Sequence, residues 1–271
     1  MQTKGKFILM TLEEFDQYLN KNSFNRVIKC VQNHHTYIPG YKHFNGKNHF
    51  EMVTNMENFH IKDRGFNEIA QNLTSFADGT IMIGRTLDKI PAGIKGANQY
   101  GICIEHIGNF DQGGDTMTPE HRQSIIGMNA LLCREFNLQV NTDSIIYHHW
   151  YDLNSGVRMN GAGATKSCPG TNFFGGNKVE NAAKNFIPLI QEYLDNSNAR
   201  KGNAKLKEKY QAEVTTDSLN VRSGSASDKP IVKSLPRGVV VTVFESKNGW
   251  SRISDKNQEW VSDKFLKELV A

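Results

Sequence analysis

The chain lacks both long apolar runs and closely spaced cysteines. None of its 271 residues belongs to a run approaching the ~20 apolar residues of a membrane-spanning helix, which argues against membrane insertion. The four cysteines, Cys30, Cys103, Cys133 and Cys168, are too scattered for a disulfide framework or a zinc ribbon. We therefore expect reduced thiols in a protein made in the cytoplasm, with at least one of them available as a ligand.

The sequence also predicts no secretion signal and carries no strong net charge. Phe7–Met10 is the only apolar stretch within residues 1–15, shorter than the ~7–15 residues of a signal-peptide core. The net charge of +4 comes from Lys and Arg interspersed with almost as many acids. This balance predicts mild attraction to anionic surfaces and no nucleic-acid partner.

What is present indicates two domains joined by a linker. Residues 1–194 carry both helical and strand patterns and predict an α/β domain with a mixed central sheet flanked by helices. Residues 195–212 are rich in Asn, Ser, Gly and Lys and lose apolar periodicity, which is typical of a flexible linker. Residues 213–271 alternate β-branched residues with turns and predict a small all-β barrel.

Helix signals mark three segments of the first domain. Thr11 followed by Glu14 is a capping-box pattern, and Thr118 followed by Pro119 is typical of a helix start. Apolar residues at helical spacing predict a closing helix over residues 179–194.

Strand patterns are followed by polar, chemically capable side chains. Strands are predicted at residues 27–31, 80–83, 100–104 and 144–147. The first precedes His34 and His35, the third precedes Glu105, and the last precedes His148 and His149. Neighbouring strand ends in one sheet would bring such side chains together.

A zinc site is one interpretation of these residues. Hydrolytic zinc sites use three protein ligands, commonly imidazole and thiolate, and His34, His148 and Cys168 supply those groups. Bound zinc lowers the pKa of its water towards ~7, which makes amide hydrolysis feasible at neutral pH. The three candidate ligands lie far apart in the sequence, so their spacing alone is weak evidence for a metal site. A histidine at a strand end is commonly a surface residue, and a single cysteine is commonly a small buried hydrophobic residue.

Five ordered segments make the interpretation more specific. They are residues 31–36 with His34-His35-Thr36, 76–81 with Gly84-Arg85, 101–105, 147–150, and 165–170 with Lys166-Ser167-Cys168-Pro169-Gly170. Together they resemble the type 2 N-acetylmuramoyl-L-alanine amidase family, whose relatives include phage lysozyme-type amidases and peptidoglycan recognition proteins. The resemblance covers roughly residues 24–192.

The resemblance implies roles for individual residues. It assigns His34, His148 and Cys168 as ligands of zinc (Zn2+), with His35 and His149 left open as substitutes for their neighbours. Glu105 corresponds to the general base and Lys166 to the lysine that stabilises the oxyanion. The remaining histidines are taken as structural or surface residues: His43, His49, His60, His106 and His121.

Two features depart from the family pattern. Gln71 stands where some phage amidases have a catalytic tyrosine, so Glu105 would carry proton transfer alone. Residues 151–164 are an insertion relative to shorter relatives, and we expect them to form one wall of the substrate groove.

The C-terminal domain resembles the bacterial SH3-like family through residues 216–224, 247–250 and 259–262. Such modules commonly bind cell wall, and linkage raises the local concentration of the attached catalytic domain there. The alternative is a spacer or dimerisation barrel in which Trp250 and Trp260 are simply packed.

The resemblance therefore predicts a zinc-dependent peptidoglycan hydrolase, an endolysin or autolysin that cleaves the amide between N-acetylmuramic acid and L-alanine. Its partner would be peptidoglycan, both glycan strand and stem peptide, reached after release or by non-Sec export. The alternatives are a non-catalytic peptidoglycan-recognition protein and a structural adaptor. The presence of Cys168 argues against the first, because relatives that lack this ligand bind the polymer without cutting it.

Overall fold

A mixed sheet flanked by helices forms the first part of the computed structural model, which describes residues 1–205, 210–247 and 249–269. The chain divides into two units, Met1–Leu194 and Asp195–Ala271, and the strands of the second pair only in antiparallel fashion within the described ranges. This confirms the predicted fold class. None of the described helices combines the length and apolar composition needed to cross a bilayer.

The sheet of the first unit places three parallel strand ends side by side. Its described strands are β1 (Gln2–Lys4), β2 (Phe7–Met10), β3 (Cys30–His35), β4 (Leu73–Ser75), β5 (Ile81–Ile83), β6 (Gly101–His106) and β7 (Ile145–Tyr147). They lie in the order β1-β2-β5-β4-β6-β3-β7. Because β3 runs parallel to both β6 and β7, the carboxyl ends of these strands meet at one edge of the sheet.

Helices cover both faces of this sheet. They are α1 (Leu12–Lys21), α2 (His49–Lys62), α3 (Pro119–Glu135), α4 (Val179–Asn185) and α5 (Ile187–Lys205). The capping box predicted for α1 is present, since the Thr11 hydroxyl accepts from the Glu14 N–H and the Glu14 carboxylate accepts from the Thr11 N–H. Thr118 caps α3 as predicted.

Side-chain alternation divides the sheet between two helical layers. On one face, Val31 of β3 packs with residues of α1 and α3 such as Phe15 and Met128. On the other, Met82 of β5 packs with Val53 of α2. The sequence pattern did not predict α2, yet this helix covers the face that carries the site described below.

Two strands extend further than predicted. β3 runs to His35 rather than ending at residue 31, and β6 includes Glu105 and His106. Polar residues are stable inside a sheet only when they have hydrogen-bond partners, and the sequence does not reveal such partners. The polar ends of β3 and β6 therefore look like loop residues in the sequence. Asn33 has such a partner in Asn129 of α3, whose side-chain amide lies 2.9 Å away.

The predicted closing helix is divided and longer than expected. It breaks at Phe186 because Pro188 has no N–H to donate to the carbonyl of Lys184. Its second part, α5, continues to Lys205, through much of the interval predicted as a flexible linker. Residues 195–205 are thus helical, and the assignment of residues 195–212 to a linker between the domains stays a prediction. Residues 206–209 of the interval lie outside the described residues.

The second unit consists of short antiparallel strands around a small apolar core. Its described strands are β8 (Tyr210–Val214), β9 (Ser218–Arg222), β10 (Ile231–Pro236), β11 (Val240–Val243), β12 (Glu245–Lys247), β13 (Trp250–Arg252), β14 (Trp260–Ser262) and β15 (Leu266–Glu268). They form sheets of order β10-β9-β14-β13-β12 and β11-β8-β15. The core contains Val214, Leu219, Val221 and Val261. Asn248, which belongs to the segment 247–250 of the SH3-like resemblance, lies outside the described residues.

A chain of buried polar contacts links the α3 face of the sheet to its helices. The Ser75 hydroxyl lies 2.7 Å from His106 Nδ1 and 2.6 Å from His121 Nε2. The Tyr41 hydroxyl lies 2.7 Å from the other nitrogen of His121. His106 and His121 are thus structural residues, as the sequence interpretation expected.

This network predicts acid sensitivity of the fold. Burial lowers the pKa of His121 to about 3, below the ordinary 6.5, so the unfolded chain binds a proton that the folded chain excludes. The stabilisation is complete above pH 6.5 and is lost as the pH falls towards 3. We expect the free energy of unfolding, measured by denaturant titration, to fall less steeply with acidification in His121→Asn than in the native protein. An equally steep fall in His121→Asn would contradict this, and His43→Asn, at an exposed histidine, is the control.

Candidate functional site

A cavity of about 630 Å³ opens on the α2 side of the sheet, where β3 and β6 end. Successive side chains of a strand point to opposite faces of the sheet, and those of His34 in β3 and of Cys103 and Glu105 in β6 point to this side. All three line the cavity, together with His148, Lys166 and Cys168. The polar strand ends therefore form the floor of the cavity.

Three candidate ligands converge there from distant parts of the chain. His34 is the penultimate residue of β3, His148 directly follows β7, and Cys168 lies in a loop beyond. Their ligand atoms all lie within 4.8 Å of one another. The Nδ1 atoms of the two histidines are 3.1 Å apart. The structure thus brings together the residues that the sequence interpretation combined.

Hydrogen bonds hold the Cys168 loop against the strand ends. The backbone N–H of His149 donates to the carbonyl of Cys168 at 2.7 Å, and the N–H of His35 donates to its sulfur at 3.4 Å. The Asp111 carboxylate accepts from the Ser167 hydroxyl and the Thr171 N–H, both at 2.9 Å. These contacts fix the position of the thiol.

The protonation states of this cluster suit a metal ion. Burial, reinforced by the charges of His148 and Lys166, holds the pKa of His34 well below its usual value. Burial and Lys166 lower the pKa of His148 to about 4, so both imidazoles are neutral, the form that binds metals. Burial raises the pKa of the Cys168 thiol, which would therefore ionise only beside a compensating cation. Two facing imidazole nitrogens and a thiol are donors that fit zinc.

The second members of the two histidine doublets make other contacts. His35 Nδ1 accepts from the N–H of Phe110 at 3.0 Å, and His149 Nδ1 lies 2.7 Å from the carbonyl oxygen of Lys166. Among the described residues, neither belongs to a group of side chains close enough to hold a metal ion. The geometry therefore favours His34 and His148 over their neighbours.

Glu105 and Lys166 both line the cavity that contains the cluster. Glu105 pairs in register with His34 on the adjacent strand. Desolvation raises the pKa of Glu105 to about 7, against the opposing effect of the Lys166 charge. Lys166 is exposed and also lines the cavity. A carboxylate and an ammonium thus share the cavity with the three candidate ligands.

Several cavity residues escaped the sequence interpretation. Met56, Phe59 and His60 of α2 line one side, with Arg64 just beyond the helix. His60, which had been assigned a structural or surface role, is therefore a cavity residue. Met56, Phe59 and His60 have the i, i+3, i+4 spacing of one helical face, and this spacing could have indicated α2. It stands among polar residues, so the sequence pattern predicted no helix there.

Gln71 and the insertion, the two features that depart from the family pattern, both lie outside the cavity lining. Gln71 is fully buried and donates to the Thr74 hydroxyl at 2.9 Å, and it does not line the cavity. No residue of the insertion, residues 151–164, lines it either. The insertion instead folds on itself around Asp152, whose carboxylate accepts from the N–H groups of Ser155 and Ala164. The expectation that it forms a wall is wrong for this cavity.

Solved structures with a similar fold include a Drosophila peptidoglycan recognition protein and two clostridial amidases. PGRP-LB of Drosophila is 21% identical, with 56% of this chain and 81% of that chain covered and a TM-score of 0.45. The amidase LysC from Clostridium intestinale URNW is 24% identical, covering 56% and 82% with a TM-score of 0.41. The endolysin LysCS from the same organism is 22% identical, covering 54% and 78% with a TM-score of 0.40. No curated protein matches the chain.

Family assignments come from the sequence itself. Residues 217–267 match the family described as bacterial SH3 domain, which agrees with the small all-β second unit. Residues 24–171 match the family described as N-acetylmuramoyl-L-alanine amidase, and this segment contains all the candidate site residues. Because that match spans more than half of the chain, the protein belongs to the N-acetylmuramoyl-L-alanine amidase family.

Proposed function

We propose that this protein is a zinc-dependent peptidoglycan hydrolase that cleaves the amide between N-acetylmuramic acid and L-alanine. The observation that supports this most directly is the cluster of His34, His148 and Cys168, with ligand atoms within 4.8 Å on the floor of an open cavity. A family member that only recognised the polymer would have no need of a complete set of ligands.

His34, His148 and Cys168 would hold the zinc ion, leaving further positions for water and substrate. Zinc at this position would act as a Lewis acid that polarises the scissile carbonyl and lowers the pKa of water. The protein's contribution is to keep the imidazoles neutral by burial and to hold the thiol through the backbone N–H of His35.

Glu105 is the proposed general base. Its carboxylate has no hydrogen-bond partner among the described residues, so it is free to take a proton from the attacking water and return it to the leaving nitrogen. Its position opposite His34 places this carboxylate beside the proposed ligands. Gln71 lies outside the cavity, which leaves Glu105 to transfer protons without a tyrosine at that position.

Lys166 is the proposed electrophilic residue. Its ammonium group forms no ion pair or hydrogen bond within the described part of the chain, and its charge reaches the cluster, lowering the pKa of His148. A cation in this cavity would stabilise the negative charge that develops on the carbonyl oxygen of the substrate when water attacks it. Both the ligand Cys168 and Lys166 lie on the loop anchored by Asp111.

The second unit would deliver the enzyme to its polymer. A bacterial SH3 domain attached to an amidase is the arrangement of an endolysin or autolysin, and we propose that it binds peptidoglycan. Trp260 is buried and donates its indole N–H to the side chain of Gln258, so little of this side chain is available to a ligand. Trp250 is only partly buried and remains a candidate contact.

We predict that chelation abolishes wall hydrolysis and that one equivalent of zinc restores it, because two imidazoles and a thiolate cannot activate water without the ion. Cys168→Ala should lose both bound zinc and activity, whereas Cys133→Ala, which removes a buried thiol outside the cluster, should keep both. The measurements are zinc content, turbidity of purified peptidoglycan and newly exposed L-alanine amino termini. Binding of wall without new amino termini, across varied stem peptides, would replace hydrolysis by recognition.

Glu105→Gln should retain zinc but lose about 10²- to 10⁴-fold in kcat, because the amide cannot accept the proton. Lys166→Met should lose about 10²- to 10³-fold, with a smaller change in KM, because its charge acts mainly in the transition state. Matched controls at exposed positions are Glu120→Gln and Lys184→Met. Near-native rates in either cavity variant, on a soluble muramoyl-peptide, would remove that residue from the mechanism.

Deletion of residues 210–271 should weaken cosedimentation with peptidoglycan by about 10²-fold, because tethering no longer raises the local concentration. Hydrolysis of a soluble muramoyl-peptide should be nearly unchanged, since the cavity residues all precede the deletion. Undiminished cosedimentation of the shortened chain would assign wall binding to the first unit alone.

A further inference from the structure

Cys103 is a cavity residue for which the proposed reaction has no use. It lies on β6 two residues before Glu105, so both side chains point to the same side of the sheet. Its thiol is almost fully buried yet lines the cavity. A thiol in this position has access to whatever small ion enters.

Cys103 belongs to a second cluster of metal-binding groups. The ligand atoms of Cys103, Glu105 and a ring nitrogen of His34 all lie within 4.8 Å of one another. This is the same proximity shown by His34, His148 and Cys168. The described residues therefore contain two adjacent sets of three donors with His34 in common.

The two nitrogens of His34 have different surroundings. Nδ1 faces Nδ1 of His148 at 3.1 Å and so belongs to the first cluster. Nε2 is buried and has no hydrogen-bond partner among the described residues. An unpartnered polar atom inside a protein is costly, so binding of an ion at this nitrogen would be favourable.

We propose that Cys103, Glu105 and His34 form a second metal-binding position, selective for thiophilic divalent ions such as Zn2+ and Cd2+, and that an ion held there inhibits the enzyme. Thiolate and imidazole favour such ions over Mg2+ or Ca2+, which prefer oxygen ligands. The inhibition rests on the proposed function, because coordination would occupy the carboxylate that acts as base.

Binding at this position is a proton-for-metal exchange. The sulfur–metal bond forms as the Cys103 S–H proton leaves to solvent, and no electrons are transferred. When Nδ1 of His34 already holds the first ion, the Nε2–H proton leaves to solvent as well, so that the ring bridges the two positions as an imidazolate. The first set offers two imidazoles and a thiol, whereas the second has a carboxylate in place of one imidazole, so we expect the second position to fill after the first, at an excess of metal.

The site is tested with Cd2+ as the probe, by equilibrium binding and thiolate-to-metal charge-transfer absorption in the full-length chain. The Cys168→Ala background removes the thiolate of the first cluster. We expect this variant to keep a thiolate–cadmium band, which a further Cys103→Ala change abolishes and a further Cys133→Ala change does not. The proposal would be overturned if Cys168→Ala by itself abolished the band. It would also be overturned if the band persisted in the variant that carries both Cys168→Ala and Cys103→Ala.

Inhibition is tested separately by the ratio of wall hydrolysis in excess Zn2+ to hydrolysis at one equivalent. Cys103→Ala and the nearly isosteric Cys103→Ser should each raise the inhibitory zinc concentration about 10-fold or more, through loss of one ligand. Thermal unfolding identifies a variant that is merely misfolded. An unchanged inhibitory concentration in a folded variant would refute inhibition through this site. If the native protein hydrolyses no wall, the proposed function fails while the cadmium experiment still decides the metal site.

Discussion

Parallel pairing of β3 with β6 and β7 is the constraint on which the site depends. It aligns the carboxyl ends of three strands that are distant in sequence, so that His34 lies opposite Glu105 and next to the residue that follows Tyr147. A shift of one residue in either register would turn these side chains to the other face of the sheet. The apolar layer between the sheet and α3 opposes such a shift, because buried residues of β3 and β6 would lose their packing.

The two faces of the same strands carry polar residues for different purposes. Towards α3, Asn33 and His106 are hydrogen-bonded to protein side chains. Towards α2, His34 and Glu105 line a cavity, and Nε2 of His34 has no hydrogen-bond partner among the described residues. Among the described buried atoms without a partner, Nε2 of His34 is the one that belongs to a cavity residue, whereas the paired polar groups on the α3 side stabilise the strands that present His34 and Glu105.

The sequence predicted the features that depend on local pattern or on family motifs. The capped starts of α1 and α3 and the grouping of His34, His148 and Cys168 belong to this class. The ends of β3 and β6 were misjudged because inward polar residues resemble loops, and α2 was missed because its cavity-facing residues are mixed with charged ones. The proximity of Cys103 to His34 follows from strand register, a long-range property that spacing along the chain does not reveal.

The wide sequence separation of the three proposed zinc ligands has a consequence for folding. An ion bound by His34, His148 and Cys168 would join an early strand of the domain to a loop near its end, and so would act as a cross-link that closes a long segment of chain. Closing a long loop removes conformational entropy mainly from the unfolded ensemble, much as a disulfide does. A chain with four free thiols would thus obtain from a metal the kind of restraint that disulfide-bonded proteins obtain from oxidation.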